Sequence, residues 1–104
     1  MSIDGNWDVA IKTPIGTLAV QYAFVQGPAG LEGTATYNDE TVALQNISTV
    51  EADAGTRLTW RQSVSKPMRL NLAFDVLFDG DVMTGHSRAG RLPRSAVTGK
   101  RHAP

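Results

Sequence analysis

Apolar and polar residues alternate along most of this chain with a period of two, the spacing that sends successive side chains to opposite faces of a strand. From Gly5 to Thr13, Trp7, Val9 and Ile11 share one face, and Asn6, Asp8, Ala10 and Lys12 share the other. From Thr17 to Val25, Leu18, Val20, Tyr22 and Phe24 point inward, and Thr17, Ala19, Gln21 and Ala23 point outward. Leu31–Tyr37 repeats the pattern with Leu31, Gly33, Ala35 and Tyr37 inside. Arg57–Val64 places Leu58, Trp60, Gln62 and Val64 on its inner face. Arg69–Phe78 is the most regular run, with Leu70, Leu72, Phe74, Val76 and Phe78 inside. Asp81–Ala89 and Ser95–Arg101 supply the last strands. Thr41–Val50 is less regular: Val42 and Leu44 alternate, then Ile47 falls out of phase, which predicts a bulge near Gln45-Asn46.

Turn residues punctuate these runs at Pro14-Ile15-Gly16, Gln26–Gly30, Asn38-Asp39-Glu40, Asp53-Ala54-Gly55, Lys66-Pro67, Asp79-Gly80 and Gly90–Arg94. Pro28, lying between glycines, cannot donate to a ladder. Asp79-Gly80 has the chemistry of a hairpin whose positive φ angles match strand twist. No window sustains a helical period, and the connections leave no room for a crossover helix. The expectation is one all-β domain over residues 1–104, with a core of about 5–101 and a short frayed tail from His102 to Pro104. About eight strands in neighbour order predict an up-and-down antiparallel β-barrel, closed so that its edges disappear. A barrel of that size either fills with side chains or holds one small ligand.

Composition narrows the functional classes. Ten basic residues balance ten acidic ones, so the basic excess that phosphate backbones require is missing and nucleic acid is not an expected partner. With no cysteine there is no disulfide framework, thiolate nucleophile or thiolate metal site. The start, Met1-Ser2-Ile3-Asp4-Gly5, does not read as a signal peptide, and no run is apolar for long enough to form a membrane helix. A cytoplasmic protein without membrane contact is expected. The outward positions carry Ala10, Ala19, Ala23, Ala43, Ala73, Leu77 and Ala96 among threonines, with few lysines or glutamates. A flat surface of small residues suits sheet-on-sheet packing, so a homodimer or larger homo-oligomer is expected. Ordinary solvated strands are the alternative.

A Gly-x-Trp opening the first strand (Gly5, Trp7) and an arginine on the last (Arg101, in Thr98-Gly99-Lys100-Arg101) resemble the closing device of the calycin group of barrels: lipocalins, fatty-acid-binding proteins and avidins. The resemblance implies that Trp7 plugs the closed end and that Arg101 packs over it, both in structural roles. Gly33-Thr34 with Leu58-Thr59-Trp60 is faintly similar to avidins. The several strand tryptophans and serines of a biotin pocket are missing, as are the paired arginines and tyrosine that hold a fatty acid. In length the chain is more similar to short bacterial lipocalin-like barrels of unassigned function. Some barrels of this kind serve as cyclases or isomerases.

Candidate chemistry is sparse. There is no Gly-x-Ser-x-Gly, no metal-spaced histidine pair and no phosphate-binding glycine loop, and neither a metal nor a cofactor is expected. Asp79 and Asp81 flank Gly80 and read as turn residues rather than calcium ligands. The inner face instead offers polar groups among apolar ones: Tyr22, Tyr37, Gln62, Ser87 and Asn46. This composition fits a site for a small hydrophobic or aromatic molecule. Leu18, Val20, Phe24, Trp60 and Phe74 would form its walls, and Tyr22, Tyr37 and Gln62 would orient the ligand. Two alternatives stand beside it. One is a cofactor-independent cyclase or isomerase in the same cavity, with Tyr22, Tyr37 or His86 as the acid or base. The other is a structural oligomeric barrel whose polar groups satisfy one another in a filled interior. His86 faces outward if Met83, Gly85 and Ser87 face inward, and a one-residue slip would reverse this.

Overall fold

The structure is a computed structural model describing residues 3–13, 16–64 and 70–102. The expected Pro14-Ile15 turn, the Lys66-Pro67 break, Arg69 and the end of the tail lie outside these residues. So does the side chain of Val64. Among the described residues nine strands form one antiparallel sheet: β1 (Gly5–Thr13), β2 (Gly16–Gly27), β3 (Gly30–Tyr37), β4 (Glu40–Ala43), β5 (Gln45–Ala52), β6 (Gly55–Val64), β7 (Leu70–Asp79), β8 (Val82–Ala89) and β9 (Ser95–Arg101). Their order in the sheet is β4-β3-β2-β1-β9-β8-β7-β6-β5, so every chain neighbour but one is a sheet neighbour, and β1 pairs with β9 to wrap the sheet round. Among the described residues there is no helix, and so none long and apolar enough to cross a membrane.

The count is nine rather than about eight because the irregular run splits. β4 pairs with β3 and β5 pairs with β6, and the chain passes from one to the other through Leu44, whose amide still donates to the Gly33 carbonyl at 2.9 Å. The pairing register jumps between Gln45 and Ser48, and Asn46 takes a φ of 54°. The irregularity therefore falls where Ile47 loses phase. It also leaves the barrel nearly closed rather than closed, since β4 and β5 end the sheet on either side of the bend. Two turns differ from what their sequences suggest, one tighter and the other shifted by one residue. Gly27 pairs directly with Gly30 around Pro28-Ala29, and Asp79 pairs with Val82, which moves that corner to Gly80-Asp81.

Burial follows the alternation. Trp7, Val9 and Ile11, then Val20, Tyr22 and Phe24, then Leu58, Trp60 and Gln62, then Phe74, Val76 and Phe78, are all buried, as are Met83, Ser87 and Val97. Gly85 lies inside opposite Val76 because β7 runs too close for a side chain: a Cβ there would meet the Asp75 carbonyl oxygen at 2.3 Å.

One end of the barrel is sealed by Trp7, which is 0% exposed. Its indole Nε1 donates to the Ile3 carbonyl at 2.9 Å, drawing the segment before β1 under the opening, and its ring meets Phe78 edge-on at 6.2 Å. Arg101 lies over the indole with its guanidinium carbon 4.6 Å from the ring centroid. It donates to the Asp81 carboxylate at 2.7 Å and to the Gly80 carbonyl at 3.1 Å, and also to the carbonyls of Ile3 and Asp4. One side chain thus ties the β7–β8 turn to the amino-terminal segment. Gly5 makes this possible: it holds a φ of 119°, and a Cβ there would crowd Arg101 Nη1 at 3.3 Å. His102 is paired as well, its amide donating to the Asn6 carbonyl at 2.7 Å and its Nδ1 lying 2.9 Å from Asp8 Oδ2.

Candidate functional site

The inward side chains of β2, β6 and β7 meet in one aromatic cluster. Trp60 and Phe74, paired in register, stack at 4.7 Å. Tyr22 meets Trp60 edge-on at 5.3 Å and Phe74 at 6.1 Å, and Phe24 meets Trp60 at 5.8 Å. Each such pair adds about 0.5–1.5 kcal/mol beyond the apolar area it buries. The polar atoms of the cluster converge on one acceptor. The Tyr22 hydroxyl donates to Gln62 Oε1 at 2.7 Å, and Trp60 Nε1 donates to the same oxygen at 2.9 Å. Among the described residues no buried side-chain nitrogen or oxygen lacks a partner. An amide that would be costly to bury alone is satisfied by the two donors that would otherwise be orphaned.

The residues expected to form a ligand site therefore divide. Val20, Tyr22, Phe24, Trp60, Gln62 and Phe74 are brought together, but as a packed core in which each is at most 5% exposed. Leu18 and Tyr37 are only partly buried, as is Leu72. These three face inward near the end opposite Trp7, where β1 gives way to β2 and β6 to β7. Burial pushes the Tyr22 phenol far above its ordinary range, and the hydrogen bonds to Gln62 and Trp60 offset this only in part. A phenol shifted in this direction gives up its proton less readily than a free tyrosine. His86 lies on the outer face, half-buried and directly opposite Asp75, away from both tyrosines. Tyr22, Tyr37 and His86 do not converge on one space. Asn46 is exposed at the bend between β4 and β5 rather than in the interior.

Among the described residues, depressions on the outside of the barrel include three of note. The largest, about 730 Å³, crosses β2, β1, β9 and β8, with a floor of small side chains in register: Ala19 opposite Ala10, Ala10 opposite Thr98, and Thr98 opposite Thr84. Asp8 and Lys100, also opposite one another, form one bank. A second of about 300 Å³ lies beside it over Asn6, Gln21, Thr34 and His102. The third, about 400 Å³, crosses β6, β7 and β8 over Thr59, Arg61, Ala73, Asp75, His86 and Arg88. Here Arg57 grips Asp75 with both ends of its fork, its Nε donating to Oδ1 at 2.9 Å and its Nη2 to Oδ2. The Arg57 hydrogen bond holds the Asp75 carboxyl below the usual carboxylate range, against a smaller opposing effect of burial.

No known protein family, curated protein or solved structure matches this chain.

Proposed function

We propose that this protein is a structural, self-associating barrel that works through its outer surface rather than by enclosing a ligand. The observation that carries the reading is the filled interior, where Gln62 Oε1 satisfies Tyr22 and Trp60 and the four rings occupy the space a ligand would need. The calycin-like closure of Trp7 by Arg101 is compatible with such a barrel and makes no demand on its interior.

The surface that fits a second copy is the trough floored by Ala19, Ala10, Thr98 and Thr84. Its small side chains let two sheets approach face to face. Asp8 stands on one bank, and Lys12, exposed two residues past Ala10 on the same strand, lies beyond the floor on the other side. A two-fold axis running along the trough exchanges the banks, so Asp8 of each copy faces Lys12 of the other. Asp8 holds His102 through Oδ2, leaving Oδ1 for this contact. Complementary charges of this kind fix register more than they add affinity.

Sedimentation velocity tests the proposal. The wild-type chain should sediment as a dimer, Asp8→Lys and Lys12→Asp should each sediment as monomers, and the double swap should recover the dimer. A monomeric wild type, or a dimer indifferent to both single swaps, refutes it.

A second reading rests on Leu18, Tyr37 and Leu72, which leave partly covered apolar surface at the end opposite Trp7. A small hydrophobic molecule would sit on the aromatic cluster there rather than within it.

A further inference from the structure

We infer that the outer face of β6–β8 carries an oxyanion site suited to the phosphate group of a small molecule, with Arg61 and Arg88 as its two arms. Both arginines sit directly opposite Ala73, one on each side. Their Cα atoms are therefore two strand spacings apart, about 10 Å. Two guanidinium groups on stems of that separation reach a common point above the methyl group between them. The alanine leaves room there, and the three residues line the same depression of about 400 Å³.

The charges near this point are unbalanced, although the chain as a whole is neutral. Among the described residues, three guanidinium groups, Arg57, Arg61 and Arg88, accompany one carboxylate, Asp75. That carboxylate is fully engaged, with both oxygens held by Arg57. Arg61 has no hydrogen-bond or ion-pair partner among the described residues. Arg88 donates through Nε to the Leu92 carbonyl at 3.1 Å, which anchors its plane and leaves its Nη groups without a partner among the described residues. The Thr59 hydroxyl, the Asn46 amide and the His86 ring line the same depression and add further hydrogen-bonding groups. A tetrahedral dianion flanked by two arginine forks is the ligand that matches this arrangement, because guanidinium pairs with phosphate oxygens in a bidentate, charge-assisted geometry.

The test is a ¹H–¹⁵N titration of the full chain with inorganic phosphate at constant ionic strength. Vesicles of phosphatidylcholine and phosphatidylglycerol serve as a separate arm. Saturable shifts centred on residues 59–61, 73–75 and 86–88 are expected. Arg61→Gln and Arg88→Gln should each weaken binding by about tenfold or more, the loss of a bidentate charge-assisted contact. Arg61→Lys should fall between the wild type and the glutamine variants. The spectra also report that each variant remains folded. Shifts that never saturate, phosphate affinity unchanged in the Arg61→Gln/Arg88→Gln double variant, or binding to the anionic vesicles without binding to free phosphate would each overturn the assignment.

Discussion

Replacing Gln62 by leucine is the sharpest perturbation of the interior, because one oxygen serves two buried donors. Gln62 is 3% exposed, Trp60 and Tyr22 are each 1% exposed, and Oε1 accepts from Tyr22 at 2.7 Å and from Trp60 at 2.9 Å. Leucine fills the volume but leaves a phenol and an indole N–H without partners. Each orphaned group costs about 1–3 kcal/mol, so Gln62→Leu should destabilise by about 2–6 kcal/mol. Tyr22→Phe removes only one donor, and the oxygen keeps Trp60, so a loss of about 0.5–1.5 kcal/mol is expected. In the double variant Trp60 alone is orphaned. It should therefore be more stable than the sum of the two single changes implies, by about 1.5–4.5 kcal/mol. Urea unfolding followed by tryptophan fluorescence gives all three values. The same differences should appear as thermal shifts of about 4–8 °C per kcal/mol. If Gln62→Leu costs no more than Tyr22→Phe, or if the two effects simply add, the shared-acceptor account of the core is wrong.

Further expectations concern the sealed end and the outer face. Arg101→Met should cost about 2–4 kcal/mol in urea unfolding, combining the contact over Trp7 with the lost charge-assisted hydrogen bonds. Arg101→Lys should cost less, because it keeps the charge but not the fork. Asp75 gives a pH signature. Its folded-state pKa is depressed, chiefly by the Arg57 hydrogen bond, so its contribution is present above the unfolded value of about 3.9 and is lost as pH falls through the lower folded value. The unfolding midpoint of Asp75→Asn should therefore fall less steeply than that of wild type below about pH 4. Parallel acid limbs would show that the Arg57 pair contributes nothing, as exposed pairs often do.

The side of the sheet on which each residue lies was legible in the sequence, and the partner opposite it was not. Period-two alternation assigned Trp7, Tyr22, Trp60, Gln62 and Phe74 to the interior correctly, because a single strand carries that information within itself. Register is a relation between strands, set by turns whose tightness composition states only loosely. The Gly27–Gly30 and Asp79–Val82 corners show this. Tyr22 and Gln62, 40 residues apart, each stood out as a polar group facing inward. That they would be each other's partner depended on the register. The placement of Arg61 and Arg88 on either side of Ala73 escaped notice for the same reason: each is an ordinary outward residue on its own strand. The break in phase at Ile47 did locate the β4–β5 bend. The gap that this bend leaves in the barrel is a property of the whole sheet and had no local signal.

Native mass spectrometry of the purified chain, before and after organic extraction, tests the central claim most directly. A filled barrel that acts through its outer face should appear as a dimer carrying no small molecule, with the same mass after extraction. A monomer bearing a hydrophobic compound that extraction removes would contradict it, placing the function at the barrel mouth instead.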